Sequence, residues 1–268
     1  MFRGKGSRSI LGPCLLAVLI IPFTVLVLWA FTGQWPADSI LPTRLGLRGW
    51  LYMFSPHGKV LPGLVMSVLL SLAVTFCALV ISIPAGKALG LYDFPGKGLI
   101  ELLVLAPIII PSITVGMGLH TAFIKFGLAD SFAGVLLVHL MVVLPYGIRI
   151  FASGYKAMGS KWEDQARVLR AGWWQRFIYV TLPFLYPAMV AGGILIFNVS
   201  FAQYFLTFLI GGGRIITLPL ILFPYINGGD RVVASAISLV FIAASLLLMA
   251  VIENTVKDRQ EETAFYYM

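Results

Sequence analysis

Charge is scarce in this chain: 11% of its 268 residues are Asp, Glu, Lys or Arg, against 59% hydrophobic. Soluble domains carry about 25% charged residues. With a mean hydropathy of +0.95, the composition excludes an ordinary soluble domain and points to an integral membrane protein. Cysteine is nearly absent. Cys14 and Cys77 both fall in apolar runs and read as small packing residues, which leaves a disulfide framework or thiolate metal site without support. The three histidines, His57, His120 and His139, lie far apart, and His139 reads as a hydrogen-bonded packing residue within an apolar run. There is no HExxH. The Gly96-Lys97-Gly98 piece is not a phosphate loop, because Leu91 and Gly98 stand where Gly and Ser or Thr would be needed. No catalytic, cofactor or metal site is expected in this chain. The net charge of +8 would suggest nucleic acid in a soluble protein. In a membrane protein basic residues mark cytoplasmic loops instead, so no nucleic-acid partner is expected.

Long apolar runs are what the chain has in abundance. They predict an all-α membrane protein, one domain over 1–268, with six spans at about 10–31, 62–84, 99–122, 131–150, 184–208 and 232–252. The first run follows a basic start and is too long for a signal-peptide core, so it is read as a retained span. In the loop 32–61 a largely apolar stretch, 45–54, suits a short interfacial helix. A short turn is expected over 86–98. Pro107 and Pro111 interrupt span three, and the carbonyls they free must find partners in protein or water. The tail, 253–268, is charged and expected to be partly disordered. Six spans put both ends on one side. That side would hold thirteen basic residues: Arg3, Lys5, Arg8, Lys87, Lys97, Arg149, Lys156, Lys161, Arg167, Arg170, Arg176, Lys257 and Arg259. The other would hold six: Arg44, Arg48, Lys59, Lys125, Arg214 and Arg231. The excess places both termini in the cytoplasm of a bacterial inner (plasma) membrane.

The segment 159–183 is the long polar stretch between two apolar spans. Met158, Trp162, Ala166, Leu169, Trp173, Phe177 and Val180 recur at steps of three and four, which predicts one apolar helical face, with Glu163, Asp164, Arg167 and Arg170 mostly beside it. Leu182-Pro183 is expected to stop that helix. Such a face must lie against lipid, the rest of the chain or a partner.

This segment resembles the cytoplasmic motif of permease subunits of binding-protein-dependent, type I ABC importers: Glu-Ala-Ala, three residues, Gly, nine residues, an aliphatic, one residue, Leu-Pro. Anchored on Leu182-Pro183, the aliphatic is Val180, the Glu-Ala-Ala positions are Asp164, Gln165 and Ala166, and the Gly position is Arg170. Gly172 is the expected substitute for the missing glycine. The resemblance implies a coupling helix, here Trp162, Glu163, Asp164, Ala166, Arg167, Leu169, Arg170, Gly172 and Trp173, that docks on a separate ATPase. It further implies two ATPase subunits holding ATP and Mg, a second permease identical or related, and an extracytoplasmic solute-binding protein, with membrane lipid around the spans. ATP-driven closure of the ATPases would swing the spans between inward-open and outward-open.

A path for solute needs polar groups facing the bundle interior. Ser112 and Thr114 in span three, and Asn198, Ser200, Gln203, Tyr204 and Thr207 in span five, are the candidates; each could equally serve interhelical hydrogen bonding. The stretches PIIIPS (107–112), SFAQYFLT (200–207) and TLP (217–219) look most like the polyamine, ferric-iron, thiamine and aminophosphonate group of these permeases. Polyamine permeases carry acidic residues where this chain has Ala202 and Gln203, and Glu101 is the only carboxylate within the spans. A neutral, zwitterionic or anionic small solute is therefore expected. The rival reading is a stand-alone secondary transporter or channel, which would show inverted repeats or a charged midplane site. Neither is evident.

Overall fold

The computed structural model describes residues 7–55 and 58–266, with side chains from residue 18 to residue 254 apart from residue 19. The expectations for Arg3, Lys5, Arg8, Cys14, His57, Lys257 and Arg259 fall outside these. Along the chain the elements are α1 (Ser7–Ala30), β1 (Thr32–Gln34), β2 (Arg44–Leu45), α2 (Arg48–Phe54), α3 (Val60–Leu91), α4 (Lys97–Ile109), α5 (Ser112–Lys125), α6 (Phe132–Met158), α7 (Lys161–Val168) and α8 (Trp173–Arg176). A π-helical turn (Phe177–Thr181) then leads into α9 (Leu182–Phe201), followed by α10 (Phe205–Gly211), α11 (Leu218–Asn227) and α12 (Arg231–Tyr266). Among the described residues, four helical stretches are long and apolar enough to cross a membrane: Val60–Leu91, Phe132–Met158, Trp173–Phe201 and Arg231–Asn254. A fifth arises if the bent pair α4–α5 counts as one span.

The chain divides into two compact units. One comprises residues up to Leu64 with Ile221–Ala244. Here β1 and β2 pair antiparallel, and α2 supplies the short helix expected within 45–54. Arg48 bonds Asp230 at 2.6 Å, the Trp29 and Trp35 rings stack at 4.5 Å, and Arg231 lies over the Trp29 ring.

The other unit comprises Val65–Leu220 with Ser245–Met268. Its core is a cluster of fully buried aliphatic side chains, among them Leu70, Val74, Val138, Val143, Ile196 and Leu206. A second cluster gathers Phe151, Tyr155, Met158 and Leu185. Helices α3 and α6 touch backbone to backbone: a Cβ at Gly86 would stand 2.4 Å from Phe151 Cβ, and one at Gly90 2.5 Å from the Ala152 carbonyl oxygen. Ser131 caps α6, its Oγ accepting from the Gly134 amide at 3.0 Å.

Several boundaries differ from the sequence expectation, and proline explains most of them. Pro84 was expected to end span two, but α3 continues through it to Leu91 and reduces the expected turn over 86–98 to residues 92–96. Leu182-Pro183 does not stop a helix. Pro183 follows the π-helical turn, which continues directly into α9, and helical backbone runs through it from Trp173 to Phe201. Span four extends to Met158. The expected tail from residue 253 is helical backbone to Tyr266. Span three is broken as expected, and sharply: α4 and α5 meet at 99°. Ile110, which precedes Pro111, is extended (φ −81°, ψ 131°), the conformation that a following proline favours.

Candidate functional site

The polar segment is not one helix with one apolar face. Gly159, at φ 69°, ends α6 in the left-handed region that only glycine adopts freely. Helix α7 follows and stops after Val168. The Arg170 amide donates to the Arg167 carbonyl and the Ala171 amide to the Ala166 carbonyl, both at 3.0 Å. This pair of bonds is the Schellman closure, and it requires a left-handed residue at the position after the cap. That residue is Arg170, with φ 60°. Gly172, expected to supply the bend, has φ −63° and ψ 165°, open to any residue. The turn is thus made at the position of the family glycine, by an arginine. Gly172 instead heads α8, its amide donating to Gln175 Oε1 at 2.8 Å.

The expected stripe is divided by this turn. Met158 is buried in the end of α6, and Phe177 and Val180 are half-buried in the π-turn. Ala166 is half-buried, while Trp162, Leu169 (82%) and Trp173 (64%) are exposed. Val168, missed as an apolar site residue, is 83% exposed. Trp174, also missed, is 59% exposed and stacks on Trp173 at 5.2 Å. Sequence spacing could have found Trp174 through its adjacency to Trp173. Asp164 and Arg167 pair at 3.3 Å on the exposed side.

Glu163 departs most from expectation. It is the one buried residue of α7, and it points inward. Lys87 Nζ donates to both its carboxylate oxygens, at 2.7 and 2.5 Å, and Thr181 Oγ1 donates to Oε1 at 2.8 Å. Burial pushes the Glu163 carboxyl up. The hydrogen bonds from Lys87 and Thr181, with the charges of Lys87 and Arg176, outweigh burial and hold the group below its ordinary range. The pair, with Thr181 and Arg176, forms the polar part of a mostly aromatic and aliphatic cavity of about 710 Å³, lined also by Tyr92, Trp173 and Phe177. Lys87 was not singled out from sequence; no spacing links residues 76 apart.

The candidate path residues separate into two groups. Ser112 and Thr114 are exposed in the first turn of α5, beside the 99° bend. Gln203 and Tyr204 occupy the break between α9 and α10 and are half-buried. Ser200 and Thr207 do not face an open path. They are 3% and 0% exposed, and their hydroxyls contact His139 Nδ1 at 2.9 Å and Nε2 at 2.8 Å. The Thr207 hydroxyl donates to the Gln203 carbonyl at 3.0 Å, so it accepts from Nε2–H, and Ser200 donates to Nδ1. His139 thus ties α6 to both sides of the helix break. Asn198 bonds the Ile194 carbonyl at 2.9 Å and accepts from Ser245. These three polar side chains are occupied by helix–helix contacts, the use sequence alone left open.

Residues 78–258 match the family of binding-protein-dependent transport system inner membrane components. The chain belongs to that family. It is a membrane-embedded permease component of a binding-protein-dependent ABC importer, and the stand-alone transporter or channel is not favoured. Relatives in the family include PhnV of Salmonella typhimurium, described as a candidate 2-aminoethylphosphonate transport system permease, 26% identical over 95% of this chain and 96% of its own. The sulfate transport system permease CysT of Escherichia coli is 31% identical over 63% of this chain and 66% of its own. The molybdate/tungstate permease WtpB of Thermococcus kodakarensis is 35% identical over 48% and 52%. The fold matches a chain in the crystal structure of a bacterial ABC transporter involved in import of the acidic polysaccharide alginate, at TM-score 0.73 and 13% identity, over 95% of this chain and 99% of that one.

Proposed function

We propose that this chain forms, with an identical or related permease, the path for a small solute delivered by an extracytoplasmic binding protein, and that α7 and the tryptophans after it dock on a cytoplasmic ATPase. The observation that carries this reading is the face left open around the Arg170 turn. Trp162, Val168 and Leu169 on one side of that turn and the stacked Trp173 and Trp174 on the other are each exposed, and Asp164 and Arg167 pair on α7. Aromatic anchors within a charged rim suit a protein interface. ATP and Mg belong to the partner, and this chain supplies no catalytic group. The membrane is the bacterial inner (plasma) membrane, with six spans and both termini cytoplasmic.

For the solute we favour a small anionic or zwitterionic compound. Glu101 is the only acid in the expected spans, so a polycation finds no carboxylate in a low-dielectric path. The sulfate, molybdate/tungstate and aminoethylphosphonate named for the relatives are all oxyanions. We assign the entry to that path to Ser112, Thr114, Gln203 and Tyr204.

The test is a pull-down from detergent-solubilised membranes. The unmutated chain is expected to bring down an ATPase and Ala166→Asp to lose it, with the spans still folded. Retention of ATPase by the variant would count against docking through α7. Uptake of radiolabelled sulfate, molybdate and 2-aminoethylphosphonate, with Gln203→Leu as comparison, then examines the path. Unchanged kinetics in that variant would remove Gln203 from it.

A further inference from the structure

We propose that Lys87, Glu163 and Thr181 form a latch that transmits motion of α7 to the spans. They act as positioning residues, touching neither solute nor nucleotide. The proposal rests on the coupling role given to α7 above. Helix α7 is eight residues long, too short to persist alone. It is joined to α6 through Gly159 and closed by the Arg170 turn. Glu163 is its only buried residue. Its carboxylate bonds Lys87 of α3 and Thr181 of the π-turn, and so ties α7 to the spans.

Its partners are placed to receive force from it. Lys87 projects from α3 where Gly86 and Gly90 bring that helix against α6, and its ammonium lies 5.9 Å from the centre of the buried Tyr155 ring. Thr181 closes the π-turn at the head of α9, the helix that ends at the break carrying Gln203. One carboxylate thus holds α3 and α9 to α7, with α6 behind. A π-turn shifts side-chain direction within a helix and is often found at functional positions. Here it sets Thr181 Oγ1 2.8 Å from Glu163. Charge-assisted hydrogen bonds fix direction as well as distance, whereas apolar contacts would let α7 slide.

The experiment uses the chain assembled with its ATPase in proteoliposomes. Gln203→Cys, with Cys14 and Cys77 replaced by serine, reports through labelling by a membrane-impermeant maleimide, with and without ATP and vanadate. No solute need be known. With the latch intact, nucleotide is expected to change the labelling rate. Lys87→Met and Thr181→Val should keep the ATPase bound yet reduce that response, at least about tenfold for Lys87→Met, because removing one partner of a buried pair strands the other. The exchange Lys87→Glu with Glu163→Lys should restore it. A purely structural contact would instead lose ATPase and response together, and the exchange would not help. That result, or a normal response in both single variants, overturns the latch. If the Lys87→Met chain itself cannot be recovered as folded protein, Thr181→Val decides. If nucleotide leaves labelling unchanged with the latch intact, the coupling reading itself fails and the latch falls with it.

Discussion

At the scale of single residues the most informative position is Arg170. A left-handed backbone costs an L-residue about 1–2 kcal/mol, and glycine escapes that cost. The chain nevertheless closes α7 with an arginine at φ 60°. Arg170→Gly is therefore expected to raise the thermal stability of the purified protein, by roughly 1 kcal/mol. Arg170→Val, branched at Cβ, is expected to lower it. If Arg170→Gly destabilises the isolated chain, the guanidinium makes a contact that outweighs the backbone strain. The motif's spacing was legible in the sequence, and so was the missing glycine. The substitute was misplaced because residue type alone assigns a bend to the nearest glycine, whereas hydrogen-bond closure assigns it to the position four residues beyond Ala166. Ser200 and Thr207 were misread for a related reason: their hydroxyls pair with His139, 61 and 68 residues away, and no local pattern carries that information.

At the scale of elements, apolar run length placed α3, α6, α9 and α12, but the boundaries drifted wherever proline was taken as a stop. Pro84, read as the end of span two, sits inside α3, and Pro107, expected to interrupt span three, sits inside α4; inside a packed bundle the carbonyl a proline frees can be satisfied by neighbours. Pro111 did break the chain, because the extended residue before it redirects α5 by 99°. Contact between α3 and α6 was not legible at all, although Gly86 and Gly90 recur at the spacing that lets two helices approach closely. Gly86→Ala tests this contact. Its Cβ would stand 2.4 Å from Phe151 Cβ and 2.9 Å from the Ala152 amide nitrogen, so something must shift, at an overpacking cost of about 1–3 kcal/mol. Gly98, in the first turn of α4, has nothing within 4 Å of a Cβ. Gly98→Ala should therefore leave the melting temperature unchanged or raise it. Equal effects from the two substitutions, measured by thermal unfolding in detergent, would mean that α3 and α6 are not held by that contact.

At the scale of the whole molecule the open question is the number of crossings, because it decides which side carries the coupling segment. Four helical stretches and one bent pair are long and apolar enough among the described residues. Helix α11, with 10 residues, reaches only about 15 Å and cannot cross a core of about 30 Å. Helix α1, with 24 residues, reaches about 36 Å and can. Counting α1 and the bent pair brings the proposed number to six, an even number, which the charge asymmetry of thirteen basic residues against six would orient with both ends in the cytoplasm. The expectation is concrete. Single cysteines in the 159–172 segment, before residue 7 and after residue 258 should be labelled by an impermeant reagent only from the cytoplasmic side, and those near Asp38 and Gly213 only from the other. An odd number of crossings separates the two termini, so opposite labelling of the ends would remove α1 or the bent pair from the count. Labelling of the 159–172 segment from outside would be more serious. Lys161, Arg167, Arg170 and Arg176 would then stand on the side that basic residues avoid, and the exposed tryptophans could not meet a cytoplasmic ATPase.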